Sequence, residues 1–262
     1  MQALETLLVD RSEGVVTITF NRPEKKNAVN RQSWVELLAT LQEVSENPAD
    51  RAVVLTGAGG NFCSGADLTS LTPADGDPVP FVSSMRDIAD SILRLHRLPK
   101  PTIAKVDGVA VGIGLSMALG CDLVVASERA RFSEIFVRRG LTVDGGSSWL
   151  LPRIIGLQKA KELAFLGEII SASEAAAIGL VNKVVPVDEL DKAVDEWAHR
   201  LASGPTVALS LTKSLFNNAF AVSMDQALED EARSQHVTST TGDMAEAMRA
   251  FIQKREPNFK GS

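Results

Sequence analysis

Only two cysteines occur in the 262 residues, Cys63 and Cys121, and no CxxC spacing. That excludes a disulfide framework and a thiolate zinc site, and leaves two reduced thiols in a cytosolic setting. Histidine is equally scarce. His96, His199 and His236 fall on helical or loop segments without a shared pattern, so neither a metal site nor a hydrolytic triad is supported, and no G-x-S-x-G elbow is present. Positive charge is in deficit: 27 Lys and Arg against 33 Asp and Glu give a net charge of -6 and a pI near 5.2. This argues against nucleic-acid binding through phosphate contacts. Long apolar runs are missing too. The longest uncharged stretch, Gly108 to Cys121, is broken by glycines and falls short of the ~20 residues of a membrane span. It fits a buried helix. The N-terminal MQALETLLVDRSEG has early acidic residues and no apolar core with a small-residue cleavage site, so no secretory signal and a cytoplasmic location are expected. Neither a fixed-period repeat nor a low-complexity tract is found.

What is there is ordinary globular composition, 45% hydrophobic and 23% charged, enough for a sizeable core. Thr6–Val9 and Val15–Phe20 are β-rich runs separated by Arg-Ser-Glu-Gly, a plausible hairpin. Arg31–Glu46 places Trp34, Leu37, Leu38 and Leu41 at helical spacing, with Pro48 just beyond its end. Strands are predicted at Ala52–Thr56, Thr102–Val106, Leu123–Ala126 and Asn182–Val185. Helices are predicted at Phe81–Arg97, about Gly112–Leu119, and almost throughout the part after Val143. Thr69–Pro80, polar and Pro-containing, reads as a loop or lid. From about Asp188 to Lys254 consecutive helices are punctuated by Gly204-Pro205, Ser223 and Gly242. The order indicates an α/β core with an α-helical C-terminal part.

Two loops carry candidate chemistry. Asn61-Phe62-Cys63-Ser64-Gly65-Ala66-Asp67-Leu68 follows one strand, and Asp107-Gly108-Val109-Ala110-Val111-Gly112-Ile113-Gly114 follows another. Small residues at a strand end let a ligand approach main-chain N–H groups. In the second loop those groups would open a helix, where unpaired donors and the positive dipole end favour negative charge. Side by side, the loops could offer one N–H each to a thioester oxygen, an oxyanion hole for an enolate. The same glycines would serve equally in two tight turns that only pack. Dinucleotide binding at Gly112-x-Gly114 fits poorly, because Met117 stands at the third glycine position.

The Asn21-Arg22-Pro23 turn followed by Asn27-Ala28, NFCSGADL, KPTIAKVDGVAVGIG, CDLVVASERARF, LLPRIIG, ASEAAAIGLVNKVV and the tail FIQKREPNFKG together resemble the enoyl-CoA hydratase/isomerase (crotonase-like) family. These blocks stand in the family's order over nearly the whole chain. The resemblance implies a crotonase-like α/β spiral of ββα units over residues 1–195, carrying the CoA-thioester site. It also implies a helical oligomerisation region over 196–262, giving trimers or hexamers. By the same resemblance Ala66 and Ile113 supply the two oxyanion-hole amides. Ser64, Asp67 and Leu68 line the CoA groove beside the first loop, with Gly112 at the second. Lys25, Lys26 and Ala28 lie in the segment beside the CoA nucleotide, and Phe251 and Lys254 match C-terminal positions that reach CoA. The implied partner is an acyl-CoA thioester, not nucleic acid or membrane; CoA enters as part of the substrate and no separate cofactor or metal is implied.

The sequence departs from the hydratases of that family where it matters. Their two glutamates align with Ser116 and Phe136, neither of which ionises near neutral pH. Asp144 occupies a position used as an acid/base aspartate by some isomerases of the family. One carboxylate suffices for a 1,3-proton shift, and an apolar setting would have to raise it from a free value near ~3.9. Without the resemblance, Asp144-Gly145 reads as a turn and helix N-cap. Glu134 lies two residues before Phe136. On a regular helix it would point to another face, as a solvated or salt-bridged carboxylate, unless the local alignment slips and it takes the second glutamate's role. Ser116 would orient a water or carbonyl, or bond its own helix backbone. The leading expectation is an enoyl-CoA isomerase with Asp144 as proton shuttle. The alternatives are a hydratase with a non-standard acid/base and a non-catalytic acyl-CoA-binding homologue.

Overall fold

The computed structural model describes residues 2–70 and 81–262. The lid expected at Thr69–Pro80 therefore lies, from residue 71 on, outside the described residues. The chain opens with β1 (Gln2–Ala3), β2 (Leu7–Ser12) and β3 (Val15–Phe20). The turn of the β2–β3 hairpin is the two residues Glu13 and Gly14, at φ 51° and 81°. Left-handed conformation at both positions matches the right-handed strand twist, and Gly14 adopts it without strain. Helix α1 (Arg31–Glu46) starts at a reciprocal cap between Asn30 and Ser33, and buries Trp34, Leu37, Leu41 and Val44 on one face.

There follow β4 (Ala52–Gly57), α2 (Phe81–Arg97), β5 (Thr102–Val106), β6 (Val109–Val111), α3 (Ile113–Gly120), β7 (Leu123–Ser127) and β8 (Arg131–Ser133). Then come α4 (Ser147–Ile155), α5 (Leu157–Leu166), β9 (Ile170–Ser171), α6 (Ala172–Ala177), β10 (Lys183–Val185), α7 (Leu190–Ala202), α8 (Thr206–Asn218), α9 (Met224–Ser239) and α10 (Gly242–Gln253). A seven-stranded sheet runs in the order β1-β2-β3-β4-β5-β7-β10, antiparallel to β3 and parallel from there on. A three-stranded sheet, β6-β8-β9, stands beside it. The short strands β6, β8 and β9 were not expected; at two or three residues each they are below the length at which alternation shows in a sequence.

The centre of the large sheet is covered on both faces, which is why β4 and β7 read as near-continuous apolar runs. Val53 and Leu55 turn to the cluster holding Trp34, Leu37, Leu41 and Leu95. Ala52 and Val54, pointing the other way, meet Leu190, Val194, Ala198 and Ala202 of α7. The division expected at residue 195 thus runs through α7, whose apolar face is part of the sheet's cover. Beyond it the helices are far less buried: α8 buries only Thr206, α9 nothing, and α10 Asp243 and Ala250. Phe216, Phe220, Met224, Phe251 and Ile252 are more than 70% exposed. Among the described residues no helix is long and apolar enough to cross a membrane.

Candidate active site

The two glycine-rich loops are hydrogen-bonded to each other. Phe62 N donates to Asp107 O at 2.8 Å, Cys63 N to Val109 O at 2.9 Å and Val111 N to Cys63 O at 3.0 Å. Cys63 and Ala110 form a parallel bridge, and Ala66 and Ile113 each lie three residues beyond it. A glycine at positive φ precedes each of them, Gly65 at 109° and Gly112 at 56°. In that conformation an L side chain is strained, and the next amide turns away from the direction an extended strand would give it. The bridge between Val29 and Ala66 uses Gly65 O and Asp67 N and passes over the Ala66 amide. Ile113 is the first residue of α3, whose opening amides have no partner within the helix. Among the described residues neither the Ala66 nor the Ile113 amide has an acceptor. Two donors on adjoining segments are thus available to a ligand oxygen. Cys63 serves as buried filler between the loops, its thiol pushed up to about 12 by burial.

The first loop is braced from below. Asn27, itself at φ 58°, donates through Nδ2 to Ala58 O at 2.8 Å and Asn61 O at 2.7 Å, and accepts from Arg22 N at 3.0 Å. Asp67 is buried, with Arg22 and Lys25 both 2.8 Å from Oδ2. Burial alone would raise its carboxyl, but hydrogen bonds from Lys25, Thr69 and Arg22 outweigh that and hold it well below the usual range. Asp67 and Lys25 are therefore engaged with each other. Lys26 is exposed in a left-handed turn, and Ser64 is fixed to the same turn by Ser64 N–Lys26 O and Ser64 Oγ–Lys25 O bonds of 3.0 Å each. Ala28 is buried and Leu68 exposed. Phe251 and Lys254, at the end of α10, are both exposed and are not brought to this site within one chain.

Asp144 comes from the turn before α4. It does not cap that helix: α4 begins at Ser147 behind Gly146, without a side-chain cap, and Asp144 Oδ1 is buried without a partner. Its backbone is pinned to α3, since Ser116 Oγ donates to Asp144 O at 3.1 Å. The next residue is pinned as well, because a Cβ on Gly145 would lie 2.2 Å from Ile113 Cδ1. The turn carrying Asp144 and the residue offering the second amide are thereby in direct contact. Asp144 lines a cavity of about 1080 Å³ whose walls include Ile92, His96, Trp149, Leu150 and Leu211. Burial pushes its carboxyl up to about 6, where it is ionised at neutral pH yet accepts a proton readily.

Ser116 keeps a 3.4 Å contact to Gly112 O but also holds the Asp144 carbonyl and meets Ser147 Oγ at 2.9 Å. Phe136 is buried, its ring 3.8 Å from where a Gly112 Cβ would stand. Glu134 corrects the sequence reading. It is neither solvated nor salt-bridged but fully buried, with Ser147 Oγ 2.9 Å from Oε1 and Oε2 without a partner. Burial first, then the neighbouring Asp144 charge, push it up to about 7 against the opposing Ser147 hydrogen bond. Glu134 does not follow helical spacing, because Ile135–Arg139 is a 3-10 segment and Glu134 precedes it in non-helical conformation.

The profile of the enoyl-CoA hydratase/isomerase family matches residues 10–262. The chain is 37% identical over 260 residues to the 1,2-epoxyphenylacetyl-CoA isomerase of Escherichia coli K12, covering 98% of this chain and 99% of that protein. It is 35% identical to the short-chain-enoyl-CoA hydratase of Clostridium acetobutylicum, with 97% of each chain covered. The crystal structure of an enoyl-CoA hydratase from Bacillus anthracis superposes with a TM-score of 0.93 at 34% identity, over 98% of this chain and all of that one. The ββα core with a helical C-terminal region is thus the fold of these enzymes.

Proposed function

The chain belongs to the enoyl-CoA hydratase/isomerase family, and we propose that within it this protein is an isomerase that moves a double bond of an enoyl-CoA into conjugation with the thioester. The observation that carries this reading is Asp144: a carboxylate with one buried, unpartnered oxygen on the wall of an apolar cavity, in a turn tied to α3 by the Ser116 bond and the Gly145–Ile113 contact. The acyl chain occupies that cavity, and the thioester oxygen takes hydrogen bonds from the Ala66 and Ile113 amides. Asp144 removes a proton from C2 of a 3-enoyl-CoA, and the C–H electron pair enters a dienolate. The same carboxyl group then returns the proton to C4, leaving the 2-enoyl thioester.

Donors fixed in place cost no reorganisation as the enolate forms, and each is worth roughly 3 kcal/mol of barrier. A single carboxylate that holds and releases one proton completes the cycle. Hydration is the poorer fit. It needs groups that hold a water and take its proton, whereas Ser116 and Phe136 stand where the resemblance aligns glutamates, and Glu134 is sealed from the cavity. The exposed apolar face of α8–α10 supports self-association as a trimer or hexamer, the arrangement in which Phe251 and Lys254 would reach a neighbour's CoA. Cytoplasmic location is part of the same proposal.

Incubation of the purified protein with a 3-enoyl-CoA is expected to give the 2-enoyl isomer, and Asp144→Asn to lower kcat by at least about 10²-fold. Wild-type kcat in Asp144→Asn would remove the aspartate from the mechanism.

A further inference from the structure

Two carboxylates are enclosed at this site, and the proton shift above uses only one. Among the described residues Glu134 Oε2 and Asp144 Oδ1 are the two buried side-chain oxygens without a partner. A line of hydroxyls connects the residues that bear them. Ser147 Oγ donates to Glu134 Oε1, Ser116 Oγ lies 2.9 Å from Ser147 Oγ, and Ser116 Oγ donates to the Asp144 carbonyl. The connection joins the segment before the 3-10 turn, the first residue of α4 and the middle of α3.

The charges around the pair are few. Glu134 is affected by Asp144 and by no cation; Arg138 and Arg139, on its own segment, are exposed. Across the cavity Asp144 faces His96, Arg97 and Lys213, and Lys213 is committed to Asp122 at 2.8 Å. Burial makes His96 less basic, so it offers no fixed positive charge. Two like charges in such an enclosure are not sustained together when a proton is available. An unpartnered, buried carboxyl oxygen is also less costly on a neutral acid than on an anion.

We propose that Glu134 is a positioning residue that shares a single proton with Asp144. In the resting protein Glu134 is the neutral acid and Asp144 the carboxylate; burial and the nearby Asp144 charge set that relation against the Ser147 hydrogen bond, and the Ser147 and Ser116 hydroxyls fix the two segments beside each other. This rests on the reading of Asp144 as the group that moves the substrate proton. Glu134 exchanges no atom with substrate; the proton Asp144 takes from C2 leaves to C4. Its part is to keep the local charge at one. With Glu134 neutral, the dienolate develops beside an aspartate that has just been neutralised. With Glu134 ionised, a second negative charge stands behind the cavity wall that carries Asp144 and disfavours the developing dienolate, and that state turns over poorly.

The test is the pH profile of kcat/KM for 3-enoyl-CoA isomerisation in wild type, Glu134→Gln, Ser147→Ala and Asp144→Asn. Wild type is expected to fall on both sides of an optimum, by about tenfold per pH unit once past the alkaline titration. Glu134→Gln keeps the acid limb and loses the alkaline one. Ser147→Ala removes a hydrogen bond that favours ionised Glu134, so its alkaline limb moves to higher pH. An unchanged alkaline limb in Glu134→Gln, or in Ser147→Ala should the first variant not fold, overturns the proposal. Loss of turnover in Asp144→Asn with such an unchanged limb overturns this inference alone. Full turnover in Asp144→Asn overturns the isomerase reading and this inference with it.

Discussion

Substituting Gly114 by alanine places one methyl group between the two loops, and the consequence can be worked out from distances. A Cβ at residue 114 would stand 2.3 Å from Cys63 O and 2.9 Å from Cys63 Cβ, where ordinary contact begins at 3.4 Å. The obstacle is backbone at the bridge between Cys63 and Ala110, so no side-chain rotation relieves it. The loops must part by roughly 1 Å, and the Ala66 and Ile113 amides move relative to each other. Overpacking of this kind costs roughly 1–3 kcal/mol of stability. Misplacement by about 1 Å, or loss of one oxyanion donor, costs about 10²-fold or more in rate. The expected result is a folded protein with kcat lowered about 100-fold, measured as isomerisation well below its unfolding temperature. Gly140→Ala is the control. It sits at φ 68° with nothing within 4 Å, so it loses roughly 1 kcal/mol of stability without moving either loop. A Gly114→Ala variant that folds and keeps kcat within about threefold of wild type would refute the geometry argued for the amides.

Three further outcomes follow from the buried charges and the exposed face. Glu134 has a folded value near 7 against an ordinary 4.5, so the stability tied to its protonated form is complete below pH 4.5 and lost as pH rises through about 7. Glu134→Gln has no such loss. Its thermal midpoint should gain on wild type across that window, by up to roughly 3 kcal/mol in stability, and a gap independent of pH would contradict the burial argument. Asp67 behaves oppositely: held low, it contributes stability that is present above the ordinary carboxylate value of 3.8 and lost as pH falls below it. Asp67→Asn leaves the half-buried Arg22 without its anion and should cost about 3 kcal/mol at pH 7 by chemical denaturation, with the gap closing in acid. Finally, Phe251→Asp puts a charge on the exposed apolar face of α10 and should yield a smaller species by sedimentation velocity; an unchanged assembly would place the self-contact elsewhere.

The strongly periodic elements were legible from sequence because local pattern and tertiary burial agree in them. Trp34, Leu37 and Leu41 repeat at helical spacing and are all buried, and Ala52–Leu55 is apolar throughout because its side chains pack alternately into the cluster with α1 and the cluster with α7. The two loops could be located too, since Gly65 and Gly112 mark backbone conformations that other residues resist. That the loops are bonded to each other was not legible: the partners, Cys63 and Ala110, are separated by a helix and a strand. The same holds for the site carboxylates. The sequence pointed to Asp144, but whether its side chain capped α4 depended on a helix start two residues further on than expected. Glu134 was misplaced because one turn of 3-10 geometry cannot be told from α-helix in five residues. Its burial depends on Ser147, thirteen positions away, and no local rule connects the two.

Turnover by this mechanism requires the thioester oxygen to be gripped by two main-chain amides at once. The infrared C=O stretch of a saturated acyl-CoA, 13C-labelled at the carbonyl and bound to the protein, reads that grip directly without turnover. Two hydrogen bonds from Ala66 and Ile113 draw electron density onto the oxygen, so the band should fall below that of the free thioester, and Gly114→Ala should return most of the shift. A bound thioester whose carbonyl band matches the free one in wild type would contradict the mechanism.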